Sequence, residues 1–535
     1  MLAVGGSPYA GGVSISGVSV DDVIQPHAID RLVDRVVARP RADRVPSVAP
    51  FTGEVLAQVP VSTPDDVEAA YRAARDAQHG WVQRSLDERA HVIRRIHDLV
   101  LDRQSEIADL VQAESGKARR DAFEEVADVA LAARYTATRG PALLRDRRRL
   151  GLFPVLTRAL EARRPKGVVG VISPWNYPLT LAISDCLPAF LAGNAVVHKP
   201  DSQAMVTALL ARSIAVEAGL PEALWQIVSG DGPTIGGAVV DGADYVSFTG
   251  STATGRIIAR RAGERLVGAS LELGGKNPML VLDDADLDRA AECAVRACFS
   301  SAGQLCMSME RIYVAAGVHD AFVEGFLARV AGIRLGAAFD YSVDVGSLMS
   351  QAQLDKVVAH VDDARLKGAE VLAGGRPRPD LGPWFYEPTV LARVRPGMLA
   401  ADEETFGPVV SVYRVESDDD AVAQANASPF GLNASVWSGD VRRGVDVAAR
   451  LRSGIVNVNE GYAAAWGSHD VPSGGMKASG LGRRHGREGI LRYTESQAIV
   501  VQRLHGVTPL PDMDFDRFAE LMTASLRALR WIGRP

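Results

Sequence analysis

Three residues in this sequence sit where a side chain could do chemistry as well as pack. Cys306 lies in Gly303-Gln304-Leu305-Cys306-Met307, after a helical segment and before a strand. A free cysteine is ordinarily a small buried hydrophobe, and Cys186, Cys293 and Cys298 read that way. The glycine and glutamine ahead of Cys306 suit an exposed loop better than a core, and an exposed thiol can ionise and attack an electrophilic carbon. Glu272 lies in Leu271-Glu272-Leu273-Gly274-Gly275-Lys276-Asn277-Pro278. A carboxylate between leucines is partly desolvated, which moves its pKa toward that of a general base; the competing reading is a solvent-facing strand residue. Asn176, in Ser173-Pro174-Trp175-Asn176-Tyr177-Pro178, stands in a turn that prolines make rigid. Its amide either donates to a developing oxyanion or simply forms the turn.

Other positions suit binding. Phe248-Thr249-Gly250-Ser251, with Gly255 beyond, links a strand to a helix, and N–H groups at a helix start hold phosphates. This is not the Gly-x-Gly-x-x-Gly fingerprint. Lys199 ends an apolar run in a chain with seven lysines among 59 basic residues, so a lysine there departs from the arginine default. Glu404, in Glu403-Glu404-Thr405-Phe406-Gly407-Pro408-Val409, opens toward another strand. No metal-ligand spacing of Cys or His occurs, so no metal is expected.

The elements around these residues alternate. Apolar runs at 168–172, 195–198, 225–228 and 245–248 are separated by helical patterns near 178–191, 203–218, 233–240 and 252–262. This predicts an α/β fold, a parallel sheet with helices on both faces and ligands at the carboxyl ends of its strands. A second α/β region spans about 280–475, with strands near 311–315, 409–413 and 454–458 and helices near 286–298, 319–331 and 351–367. Residues 1–24 read as a flexible tail and the stretch after them as helical, with Thr63 capping a helix that has Pro64 at its first position. The Arg-rich stretch 141–165 reads as a solvated hairpin or linker. From 511 an amphipathic stripe (Phe515, Phe518, Leu521, Met522, Leu526, Leu529) suggests a helix docked on a subunit.

Composition sets the class. The chain has 535 residues, 47% hydrophobic and 23% charged, enough to fill about three to four folding units. A net charge of −6 gives no footprint for nucleic acid. Four cysteines cannot form a disulfide framework. No signal peptide or membrane span is legible, and the default address is the cytoplasm.

In this order the segments resemble the aldehyde dehydrogenase superfamily over about residues 35–500. The matching pieces are Pro174-Trp175-Asn176-Tyr177-Pro178, Lys199-Pro200, Phe248-Thr249-Gly250-Ser251, Glu272-Leu273-Gly274-Gly275-Lys276, Gly303-Gln304-Leu305-Cys306 and Glu404-Thr405-Phe406-Gly407-Pro408. The resemblance implies a Rossmann-type cofactor domain (25–144 and 163–278), a catalytic domain (279–475), a β-hairpin oligomerisation element (145–162 and 490–506), a C-terminal helical tail (507–535), and a homodimer or homotetramer. It implies a Cys306 thiohemiacetal and then a thioester, an oxyanion held by Asn176 and the Cys306 N–H, and water activated by Glu272. The cofactor, NADP or NAD, would lie against Ser173, Pro174, Trp175, Lys199, Ser202, Gly250, Ser251, Leu273, Glu404 and Phe406. Many NAD-preferring members carry Glu three residues after the lysine; here Ser202 stands there and a 2′-phosphate meets no carboxylate, which favours NADP. Asp201 restores some repulsion if it faces that site.

Within the superfamily the pattern is most similar to the bacterial branch that oxidises succinate semialdehyde. The arginines that clamp the substrate carboxylate in its better-known members are Ser184 and Ser300 here, leaving Arg452, Arg483, Arg484 or His485 as possible sources of charge. Arg484 also stands where many members have a Glu suspected of relaying protons. The alternatives are a broad oxidiser of uncharged aliphatic or aromatic aldehydes, a cofactor-independent thiol hydrolase, and an inactive scaffold.

Overall fold

The computed structural model describes residues 20–152, 157–503, 506 and 508–531. Of the expected tail, residues 1–19 lie outside these. Residues 20–24 are not tail: a short helix, Val20–Val23, buries Val20, and Ile24 packs against both major cores. Val20, Val23 and Ile24 give this segment the apolar spacing that the Gly/Ser-rich residues before it lack. The stretch after it is only partly helical. Pro26–Val33 is a helix, but Arg44–Val48 and Val55–Pro60 pair as an antiparallel hairpin around Gly53, whose φ of 79° favours glycine. Thr63 does cap Pro64–Val82, in a reciprocal capping box with Asp66.

The first sheet has six strands in the order Gly480–Leu481, Gly268–Glu272, Tyr245–Thr249, Val168–Ser173, Ala195–Pro200, Trp225–Ile227. All pair in parallel except Gly480–Leu481. From Val168–Ser173 the chain steps outward on one side, then returns to Tyr245–Thr249 on the other. The switch point of the sheet therefore opens beyond Ser173 and Thr249, where such sheets bind ligands. The helical region near 178–191 is two helices, Pro178–Ile183 and Cys186–Ala192. Pro188 lacks the amide that would bond the Ser184 carbonyl, so the helix breaks there.

The second sheet has seven strands, with Asn277–Val281 and Met309–Ala315 near its centre. Glu272 ends a strand of the first sheet and Asn277 begins one of the second, so Leu273-Gly274-Gly275-Lys276 is the direct passage between them. Cys306 lies just ahead of Met309–Ala315. The expected strand near 454–458 is reduced to Asn457–Val458.

The Arg-rich stretch forms a hairpin rather than a linker. Thr157–Pro165 pairs with Arg147–Arg149 on one side and with Thr494–Gln502 along its whole length on the other. The C-terminal helix is Phe515–Trp531, with Phe515, Leu521 and Leu526 exposed.

Candidate active site

Asn176 is fixed from beneath by a buried ion pair. Lys117 Nζ donates to the Asn176 carbonyl (2.9 Å) and to Glu125 (2.5 Å), and lies 3.8 Å from the centre of the Tyr177 ring. Glu125 in turn accepts the Leu179 and Thr180 N–H groups at the start of the next helix. The Asn176 side chain donates from Nδ2 to the Gln304 carbonyl at 3.0 Å, tying the turn to the segment that carries Cys306. That use leaves a second N–H on the same nitrogen.

The loop before Cys306 is unusual in its backbone. Ser301, Ala302 and Gly303 all have positive φ (51°, 55° and 70°). Ser301 pays part of that strain back by donating its N–H to Asp121 Oδ2 (2.9 Å). The loop is not exposed as its sequence suggests: Gly303 and Gln304 are buried. The Gln304 amide donates to the Ser301 carbonyl and accepts the Met349 N–H. Glutamine serves here as an internal brace. Cys306 itself is partly exposed. Burial, with the Glu404 and Glu272 carboxylates nearby, pushes its thiol up to about 12, so it rests protonated.

Cys306, Glu272 and Asn176 line one cleft of about 210 Å³, together with Pro174, Trp175, Thr249, Gly250, Ser251, Leu273, Gly274, Gln353, Lys356, Glu404 and Phe406. Burial raises the Glu272 carboxyl to about 7, and its Oε1 is a buried atom with no hydrogen-bond partner. A carboxylate in that condition takes a proton readily near neutrality. Glu404 is also raised to about 7, chiefly by burial, while its Oε1 accepts the Gly275 N–H at 2.7 Å.

The remaining walls suit a dinucleotide. Ser251 caps Thr252–Glu264 by accepting the Thr254 N–H, and it lines the cleft with Thr249 and Gly250 just ahead of that helix. A Cβ on Gly250 would strike the Phe248 ring at 2.6 Å, and one on Gly274 would strike Glu404, so glycine keeps the backbone open there. Trp175 and Phe406 meet edge to face at 5.6 Å, giving a flat apolar wall. N–H groups near a helix start, a carboxylate and an aromatic wall together have the chemistry to suit the phosphates, a ribose diol and a ring of such a cofactor.

Three expected contacts lie outside the cleft lining. Ser173 Oγ is 2.7 Å from His198 Nε2, inside the sheet. Lys199 is buried at the end of its strand, which lowers its pKa against the pull of Asp201 and Asp231. Ser202 opens a short 3-10 turn next to it, and Asp201 accepts the Gln203 N–H at 3.0 Å. Lys276, in the Glu272 motif, is buried against Glu310 (2.5 Å), which accepts the Thr405 and Phe406 N–H groups and so holds the Glu404 loop. Gln353 and Lys356 were missed because no local motif marks them; Gln353 donates to the Phe406 carbonyl at 2.5 Å.

The possible sources of substrate-binding charge are largely committed elsewhere. Arg484 (2.5 Å) and Arg492 (2.7 Å) bind Asp185 and hold its carboxyl low despite burial, and Arg484 also reaches Thr249 at 3.1 Å. His485 is half-buried against the buried His469, ring to ring at 4.2 Å. Arg483 donates to the Gly475 and Gly482 carbonyls, and Arg452 is exposed. Ser184 Oγ faces Asp128 Oδ2 at 3.5 Å, and Ser300 Oγ is 3.1 Å from the Tyr462 hydroxyl, which donates to Glu124 Oε2 at 3.0 Å.

Comparison with known proteins places this arrangement. The sequence profile of the aldehyde dehydrogenase family matches residues 37–499. A Mycobacterium ulcerans (strain Agy99) protein, provisionally named succinate-semialdehyde dehydrogenase [NADP(+)] 2, is 54% identical over 459 residues, 86% of this chain and 89% of that one. A Mycolicibacterium smegmatis protein, also provisionally named a succinate-semialdehyde dehydrogenase [NADP(+)], is 52% identical over 480 residues, 90% of this chain and 93% of that one. Among solved structures, betaine aldehyde dehydrogenase from Staphylococcus aureus in complex with NAD+ superposes with a TM-score of 0.83 at 30% identity, covering 90% of this chain and 98% of that one. An Escherichia coli NADP-dependent enzyme gives 0.82 at 34% identity, covering 86% and 95%. The chain belongs to the aldehyde dehydrogenase family.

Proposed function

We propose that this protein oxidises succinate semialdehyde to succinate with NADP+, in the cytoplasm, as a homodimer or homotetramer joined through the Thr157–Pro165 and Thr494–Gln502 strands. The observation that carries the chemistry is the convergence of Cys306, Glu272 and Asn176 on one cleft whose other walls suit a dinucleotide. The names of the relatives support the aldehyde and the cofactor.

The Cys306 thiol gives its proton to solvent as its sulfur adds to the aldehyde carbon, and the new oxyanion lies between the spare Asn176 N–H and the Cys306 N–H. The bound cofactor supplies the hydride acceptor. Loss of hydride leaves an acyl thioester on Cys306. Glu272, deprotonated, takes a proton from water as the water attacks the thioester carbon; the acid leaves and the thiol is restored. Lys117 and Glu125 act earlier, by holding the turn that aims Asn176.

The test is the initial rate of nicotinamide reduction with succinate semialdehyde, run in parallel with NADP+ and NAD+. Fast turnover favouring NADP+ is expected. Negligible rates with both cofactors, alongside turnover of hexanal or benzaldehyde, would reject the substrate and keep the reaction. One observation favours that second reading: the hydroxyl of Ser184 faces the Asp128 carboxylate, which would repel an anion.

A further inference from the structure

A cavity of about 700 Å³ is separate from the cleft that holds Glu272. It is an open groove lined by Arg120, Arg289, Arg296, Ser300, Trp437 and Glu460, among others. Arg120 and Arg329 are committed there to Asp344 and Asp288. Arg296 is held differently. It gives one N–H to Glu124 (2.8 Å), its guanidinium carbon lies 5.4 Å from the centre of the Tyr462 ring, and its side chain is 45% exposed. A guanidinium has five N–H groups in a planar fork, so this one keeps N–H groups beyond the one given to Glu124 on its exposed side.

Arg296 and Ser300 are four residues apart, the spacing that puts side chains on one helix face. The Tyr462 hydroxyl joins them, touching Ser300 Oγ on one side and Glu124 on the other. From Ser300 the left-handed loop leads to Cys306, and Ser301 Oγ touches the hydroxyl of Tyr177, the neighbour of Asn176. The groove thus extends to Ser300, six residues before the nucleophile, from outside the dinucleotide cleft.

We propose that Arg296 seats the distal carboxylate of the aldehyde, with the Ser300 and Tyr462 hydroxyls beside it. This rests on the reading that the substrate is an ω-oxo acid. Arg296 then supplies the charge that Ser184 and Ser300 lack, and Glu124 is the internal carboxylate that the substrate must displace. The two side chains act with opposite sign.

The experiment compares KM for succinate semialdehyde and for hexanal in the full-length enzyme and in Arg296→Gln and Glu124→Gln. Loss of a charge-assisted bidentate contact should raise KM for succinate semialdehyde about ten- to a hundredfold in Arg296→Gln. Hexanal should shift less than about twofold on the same reasoning. Glu124→Gln should lower KM for succinate semialdehyde, because the fork is released. A wild type that oxidises succinate semialdehyde, with Arg296→Gln altering both aldehydes alike or neither, overturns the seat and leaves the substrate in place. So does a Glu124→Gln variant with a raised or unchanged KM. A wild type that oxidises hexanal alone removes the substrate and the seat together.

Discussion

The two sides of Cys306 are built in different ways. On the dinucleotide side, the groups come from short continuous segments at strand ends: Pro174 to Asn176, Thr249 to Ser251, Glu272 to Gly274 and Glu404 to Phe406. On the groove side, the contacts run through Glu124, Arg296 with Ser300, and Tyr462, which belong to three separate parts of the chain. A turn at a strand end constrains its own sequence, whereas a wall assembled from several elements leaves each residue free to change if a neighbour compensates. The reaction is thus encoded locally and the aldehyde preference is distributed.

The change that strikes both sides at once is Cys306→Ala. It removes the only group proposed to bond to carbon, and turnover should fall by about 10⁴-fold or more. Dinucleotide binding, followed by quenching of tryptophan fluorescence, should persist because Trp175, Ser251 and Glu404 are untouched. Retained oxidation would sink the covalent route.

Glu272→Gln is expected to spare the first half of the reaction and stop the second. One equivalent of reduced nicotinamide per site should form in a burst, followed by turnover slowed about 10²- to 10⁴-fold. In the unaltered enzyme the steady-state rate should rise with pH through about 7, since the base must be deprotonated. Stability runs the opposite way. The folded carboxyl titrates above its usual value, so the folded state binds the extra proton, and stability falls as pH rises across about 4.5 to 7. Gln carries no such charge, and the variant should be more stable at pH 8 by about 1–3 kcal/mol. A burst lost together with the steady state would place Glu272 in the first step instead.

How much of this was legible beforehand follows the same division. Asn176, Glu272, Cys306, Gly250, Ser251, Glu404 and Phe406 carry signatures in their own neighbours, and the structure gathers all of them. Four of the six strands in the first sheet were legible for the same reason, because buried parallel strands are short apolar runs between helices; Gly268–Glu272 and Gly480–Leu481 were not. The hairpin Arg44–Val48 with Val55–Pro60 was not, since its strands are half-exposed and the stretch reads as helical. Gln304 misled because a polar side chain can be buried when every donor and acceptor is used, and sequence does not show partners. Lys117 and Arg296 were invisible for a related reason. Their partners lie on other elements, and one charged residue in a helix looks like any other.

The smallest effect tests the dinucleotide side alone. Ser202 stands at the start of the turn beside Lys199, where the resemblance places the adenosine ribose. Ser202→Glu puts a carboxylate where a 2′-phosphate would lie, and two like charges at that range in partly screened surroundings cost about 1–2 kcal/mol. The ratio of kcat/KM for NADP+ to that for NAD+ should then fall about five- to thirtyfold, with the rate on saturating NAD+ unchanged. Asp201 already carries a carboxylate one residue away, so the outcome depends on where that charge points. Because it accepts the Gln203 N–H within its own turn, Asp201 should contribute little repulsion, and Asp201→Ala should move the ratio by about twofold or less. An Asp201→Ala variant that raises the preference for NADP+ tenfold would show that its carboxylate, and not the absence of one at 202, sets the choice.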